Sequence, residues 1–135
     1  MPPYLVDSDW VIDYLAGIPE ALELLERLAE EGIAISIITY MEVYQGVERS
    51  PEPAAAERGV AAFLQNVPLL PISPAVARRC ARLREILRRQ GRRVNSRALD
   101  LLIAATAVEH GLTLVTRNVG DYADIPDLVV EPGQT

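Results

Sequence analysis

No lysine occurs in the 135 residues, and histidine and cysteine occur once each, as His110 and Cys80. These absences exclude several chemistries. A lone thiol cannot close an internal disulfide, and with a lone histidine it cannot build a zinc site of the usual donors, which points to a reducing, cytoplasmic location. Apolar runs such as "LLIAATAV" (Leu101 to Val108) fall far short of the roughly 20 residues that span a bilayer. The N-terminus lacks the basic-then-apolar order of a signal peptide, so no membrane role is expected. Low-complexity tracts and internal repeats are missing too.

What remains is globular: 50% of the residues are hydrophobic and 24% charged, and the length suits one domain over residues 1–135, with 131–135, "EPGQT", expected to be a disordered tail. The net charge of −6 argues against binding nucleic acid by overall attraction, but the charge is unevenly placed. All thirteen basic residues are arginine, and nine of them lie between Arg78 and Arg97, where Glu85 is the only acid. Such a block reads either as a solvated helix face or as a phosphate-contacting surface, because the guanidinium fork matches phosphate oxygens.

Strand and helix signals alternate. Tyr4 to Val6 reads as a strand, followed by helices over 8–16 and 19–31 with Gly32 as the stop. Ile33 to Ile38, "IAISII", reads as a second, doubly buried strand, and a helix over 40–48 follows it. Pro51 and Pro53 break that helix before another over 54–66. A short strand at 69–71 precedes a helix that starts at Pro74 behind Ser73 and stops at Gly91. A helix over 97–110, a strand over 112–116 and a strand over 128–130 complete the pattern. The fold class is therefore α/β, a central parallel sheet of four to five strands flanked by helices, and ligands of such sheets bind outside the carboxyl ends of the strands.

Acids collect at that edge. Asp7 ends the first strand, where Ser8 and Asp9 compete with it to cap the next helix. Glu42 follows Thr39 in "TYME" at capping-box spacing. Asp100 lies on the apolar face of its helix with Ile103, Ala104 and Ala107, and no lysine exists to neutralise it. Asp121, in "TRNVGDYAD" with Thr116 and Asn118, suits a turn. Jointly, Asp7, Glu42 and Asp121 follow strand ends and Asp100 starts a helix facing the same edge. Four converging carboxyls repel one another unless a divalent cation neutralises them, and oxygen-only donors select Mg²⁺ or Mn²⁺. Bound there, such an ion activates water against a phosphodiester.

The blocks "YLVDSDWVIDYL", "SIITYMEVYQGV" and "ALDLLIAATAVEHGLTLVTRNVGDYADIPDLVV" resemble the PIN-domain ribonucleases, and within them the VapC-type toxins of toxin–antitoxin pairs, over nearly the whole chain. The resemblance implies a small α/β fold, Mg²⁺- or Mn²⁺-dependent endoribonuclease activity, a homodimer, and inhibition by a VapB-type antitoxin that covers the acidic cleft. It makes Asp7, Glu42, Asp100 and Asp121 the catalytic set. Asp7 and Asp100 would hold metal, with Glu42 and Asp121 joining directly or through water, and Ser8, Thr116 and Asn118 would support them. One and two metal ions both remain open. Arg89, Arg92, Arg93 and Arg97 become candidates for guiding RNA, and Trp10 and the tyrosines for stacking on bases or filling the core. His110 has no catalytic task.

Two rival readings fit part of the sequence. "LVDSDWV" also fits the opening motif of haloacid-dehalogenase-like phosphatases, but that chemistry uses a lysine, and it leaves Glu42 and Asp100 without work. The other rival is a catalytically silent PIN-like module that binds RNA or protein.

Overall fold

Leu5 and Val6 point to opposite faces of one strand, and both are wholly buried, so their sheet is covered on both sides. The computed structural model describes residues 2–133. Its elements are β1 (Tyr4–Val6), α1 (Ser8–Leu15), α2 (Pro19–Ala29), β2 (Ile33–Ser36), α3 (Ile37–Arg49), α4 (Pro53–Leu64), β3 (Leu69–Leu70), α5 (Pro74–Arg89), a 3₁₀ turn (Asn95–Arg97), α6 (Ala98–His110), β4 (Thr113–Val115), α7 (Val119–Tyr122) and β5 (Val130–Glu131).

All pairings are parallel and the strand order is β3-β2-β1-β4-β5. The chain leaves β1 for β2 on one side and returns to β4 on the other. The carboxyl ends of β1 and β4 thus flank a topological switch point, where side chains converge on a crevice. In register there, Val6 pairs with Val115, and the Asp7 N–H donates to the Val115 carbonyl at 2.9 Å.

Two cores lie on the two faces. Leu5 and Leu114 join Leu83 and Leu87 of α5 and Leu101, Ile103 and Ala104 of α6. Val6 and Val115 join Trp10, Leu24, Leu25, Val43 and Val60 from the first four helices. Leu101 and Ile103, at most 1% exposed, each contribute roughly 1.5–3 kcal/mol by leaving water. The helix that carries Asp100 is thereby fixed rigidly against the sheet.

Several boundaries differ from the sequence reading. Ile37 and Ile38 belong to the first turn of α3 and not to β2, because the Ser36 hydroxyl accepts the Thr39 N–H at 3.0 Å and caps the helix. Thr39 is therefore no cap, and the Thr39–Glu42 capping box does not form. Residues 119–122, expected as loop, make the short α7. The tail expectation fails for 131–133: Glu131 pairs with Val115 in β5, and the Trp10 indole N–H donates to the Pro132 carbonyl at 3.2 Å. Its last two positions, 134–135, lie outside the described residues.

Two glycines with open space at the Cβ position give opposite expectations for one substitution. Gly111 ends α6 in the left-handed region at φ +67, so Gly111→Ala should cost about 1–2 kcal/mol in backbone strain. Gly59 sits inside exposed α4 in ordinary helical backbone, and Gly59→Ala should stabilise by about 0.5–1 kcal/mol. Urea denaturation of both variants checks this, and shifts of the same sign would refute the reading.

Candidate active site

Asp7 is only 5% exposed, and the residues around it are arranged to answer its charge. Its Oδ1 accepts the Ser8 N–H at 2.8 Å, the first N–H of α1, where the helix dipole favours an anion. Its Oδ2 accepts the Thr116 hydroxyl across the crevice at 2.8 Å, and Thr116 Oγ1 in turn accepts the Asn118 N–H at 3.1 Å. Parallel pairing of β1 with β4 brings Asp7 beside Thr116, which no local pattern could do.

From Asp7 the network runs two ways. Ser8 Oγ donates to Glu42 Oε1 at 2.6 Å and stands 3.3 Å from Asp7 Oδ1, tying α3 to the end of β1. On the other side the Tyr122 hydroxyl lies 3.4 Å from Asp7 Oδ2 and 3.3 Å from Asp100 Oδ1. Both distances are long for an O–H···O bond, as expected of one hydrogen shared between two acceptors. Burial first, and then the charges of Asp7 and Asp100, push the Tyr122 phenol far above its ordinary pKa, so it stays protonated and remains a donor. In the sequence the only signal for Tyr122 as a site residue is an aromatic directly after Asp121.

The structure therefore joins Asp7, Ser8, Glu42, Asp100 and Thr116 into one hydrogen-bonded group. Asn118 contributes to it through its backbone N–H. Asp121 stands outside the group, exposed on α7, and its carbonyl accepts Arg97 Nη2 at 2.9 Å.

The other acids of the opening stretch have structural work. Asp9 accepts the N–H groups of Trp10 and Arg117 at 2.7 and 2.8 Å, and burial raises its pKa despite those bonds. Asp13 pairs with the Arg117 guanidinium at 2.6 Å, and that guanidinium lies 3.6 Å over the Trp10 ring. Trp10, 1% exposed and stacked in this way, is a core residue and has no face left for a base.

The arginine block is also not one open surface. Arg89 is held by Glu85 at 2.8 Å, together with Arg88 at 2.7 Å, and these two partners lower the Glu85 carboxyl to about 2. Arg97 makes a two-pronged pair with Asp124 at 2.8 and 2.9 Å. Arg97, with 20% of its side chain exposed, does not fit the expected role of a free RNA contact, whereas Arg89 keeps 75% of its side chain exposed beside its surface pair. Arg92 approaches Asp124 only to 3.7 Å, and Arg93 is exposed.

Among the described residues no three acidic, histidine or cysteine side chains stand close enough to grip an ion together. Two carboxylates linked through one hydroxyl nevertheless suit a cation that keeps much of its water and takes further oxygens from a phosphate, as Mg²⁺ does. The donors are all oxygen, so the residues present fit a hard divalent ion and not zinc.

A family model described as "PIN domain" matches residues 4–127. The chain is 36% identical over 126 residues to Ribonuclease VapC19 of Mycobacterium tuberculosis, covering 92% of this chain and 95% of the relative. It is 28% identical over 131 residues to the tRNA(fMet)-specific endonuclease VapC of Shigella flexneri, at 97% and 98% coverage. Among solved structures it resembles VapBC2 from Rickettsia felis bound to a promoter DNA fragment, with TM-score 0.84, 28% identity and coverage of 95% and 96%. DNA-bound VapBC from Salmonella typhimurium gives TM-score 0.85 at 26% identity and coverage of 97% and 98%. With the family model spanning nearly all of β1 to α7 and the acids gathered at the switch point of its sheet, the chain belongs to the PIN-domain family, among its VapC-type members.

Proposed function

We propose that this protein is a Mg²⁺- or Mn²⁺-dependent endoribonuclease and the toxin of a toxin–antitoxin pair, held inactive by a VapB-type antitoxin and working as a homodimer. The observation that carries the reading is the meeting of Asp7 and Asp100 on one buried hydroxyl, with Glu42 joined through Ser8. Relatives named as ribonucleases and neighbours that are VapBC complexes support the toxin role. A phosphatase of the haloacid-dehalogenase type is not favoured, since Glu42 and Asp100 belong to the same hydrogen-bonded group as Asp7 and no lysine is available.

Asp7 and Asp100 would hold the cation, with Glu42 joining directly or through water and Asp121, outside the hydrogen-bonded group, through water only. When bound, the ion supplies a Lewis acid for the phosphoryl oxygens and lowers the pKa of water. The chain's own residues do the rest. Thr116 and Ser8 fix the Asp7 carboxylate, which therefore needs no reorganisation when charge develops beside it. Glu42, half-buried and oriented by the Ser8 hydroxyl, is placed to take the proton from water as it attacks phosphorus and the bond to the leaving ribose oxygen breaks. Tyr122 donates to the two carboxylates and tempers their repulsion while no cation is present.

Purified protein free of antitoxin should cut cellular RNA with Mg²⁺ or Mn²⁺ and not with chelator. Asp7→Asn and Asp100→Asn should each lose roughly 10²–10⁴-fold in rate while still binding antitoxin. Metal-independent cutting, or full activity in either variant, would remove the proposed site; absence of cutting in every protein would favour a silent binding module. Tyr122→Phe is predicted to be less stable than the parent by about 1–3 kcal/mol in chelator, and saturating Mn²⁺ should close part of that gap as the ion replaces the lost donor. An equal deficit with and without Mn²⁺ would reduce Tyr122 to a packing residue.

A further inference from the structure

An edge lined with carboxylates repels the backbone of RNA, so a nuclease built on it needs cations close by. Around this edge the arginines are already sorted by their partners. Arg97 is committed to Asp124 and the Asp121 carbonyl, and Arg117 to Asp13 and the Trp10 face. Arg93 is exposed and makes no ion pair among the described residues, while Arg92, also exposed, has only its 3.7 Å approach to Asp124.

These two stand on the turn that ends α5. The Gly91 N–H donates to the Arg88 carbonyl at 3.0 Å and the Arg92 N–H to the Leu87 carbonyl at 2.9 Å, which fixes their backbone; the Arg93 guanidinium has no ion pair among the described residues and that of Arg92 only its long contact to Asp124. With Gly91, Arg97, Gly120, Asp121 and the Arg97-paired Asp124 they line an open cleft of about 610 Å³. One wall of that cleft is α7, the helix whose Tyr122 reaches Asp7 and Asp100, so it adjoins the acidic group. Gly91 and Gly120 both have open space where a side chain would stand, which lets a sugar–phosphate chain approach the backbone.

We propose that this cleft is a subsite for a non-reacting phosphate of the RNA substrate, with Arg92 and Arg93 as its contacts and Gly120 as its open floor. The inference rests on the nuclease reading for the identity of the polyanion, but it concerns binding and not the chemical step. Free guanidinium forks at the mouth of an acidic cleft pull the strand across the carboxylates, and the Arg97–Asp124 pair holds the wall in place without competing for phosphate.

The test is the affinity of a labelled single-stranded RNA for the Asp100→Asn protein, measured by anisotropy across a salt series. Adding Arg92→Ala and Arg93→Ala should weaken binding roughly tenfold and flatten the slope of log K against log salt by about 1.4, the value for two lost contacts to a single strand. Arg78→Ala with Arg82→Ala removes the same charge from the exposed face of α5 and should leave the slope nearly unchanged. Gly120→Leu, which fills the cleft without altering charge, should weaken binding comparably. In the active protein the Arg92 and Arg93 changes should raise KM and spare kcat.

Equal losses from the two arginine pairs would mean a diffuse field and overturn the subsite. So would unchanged affinity in the Arg92 and Arg93 variant, or a parent that binds no RNA; neither bears on metal-dependent cutting by the wild type. Conversely, the expected slope change in the Asp100→Asn background, together with no metal-dependent cutting by the wild type, would keep the subsite and defeat the nuclease reading.

Discussion

A carboxylate with 5% of its surface exposed ends the central strand of this protein, and left unpaired there it would cost several kcal/mol. Asp7 avoids that cost only because the chain on every side of it supplies a donor. The start of α1 supplies the Ser8 N–H, the end of β4 supplies Thr116, and α7 supplies Tyr122. Each donor fixes an element, so the position of α7 and the pairing of β1 with β4 are part of how the acid is satisfied. Asp100 enters through the same hydroxyl, and Glu42 through Ser8. Function and fold share these contacts: a donor that leaves Asp7 weakens the sheet edge and disorganises the acidic group together.

The remaining acids of "VDSDWVID" show how the edge is held by residues outside the Asp7 network. Asp9 binds the backbone behind β4 and Asp13 binds the Arg117 side chain, both bridging α1 to the segment that carries Thr116. The Asp13–Arg117 pair is about one-third exposed on each side and on its own is worth about 1 kcal/mol or less. Its value is geometric. It presses the guanidinium on Trp10, and Trp10 in turn holds Pro132 beside the sheet. That chain of contacts explains why residues 131–133 are ordered although their composition reads as a tail.

The alternation of strands and helices was legible because glycines and prolines punctuate the apolar runs, and the edge where the acids gather follows from parallel topology alone. Asp7, Glu42, Asp100 and Asp121 could be assigned to that edge from their places at strand and helix ends; hydrogen bonds join the first three, while Asp121 stands outside them. What could not be read depends on partners distant in sequence. Ile37 and Ile38 are β-branched and read as strand, yet the Ser36 hydroxyl starts a helix there. Residues 119–122 are too few for a helical period to show. The arginine block looks uniform in sequence, but Arg88 and Arg89 share the Glu85 carboxylate and Asp124 takes Arg97, the latter across 27 residues. Tyr122 was invisible as a site residue because its role requires Asp7 and Asp100 to stand on either side of it.

The short helix α7 touches both the acidic group and the basic cleft. Tyr122 points inward to the carboxylates, Asp121 lines the basic cleft, and Asp124 just beyond is pinned by Arg97. Four residues of helix have little stability of their own, so α7 is held by these side-chain bonds and by the burial of Tyr122. The Arg97 guanidinium keeps the Asp124 carboxyl below its ordinary pKa. A depressed folded pKa gives stability that is present above the unfolded value and lost as pH falls through the folded one. At neutral pH the pin is therefore fully charged and independent of any cation, which separates the support of the site from its occupancy. The end of α7 is thus anchored by an ion pair that the acidic group does not share, and Arg92, 3.7 Å from the same Asp124 carboxylate, borders that anchor.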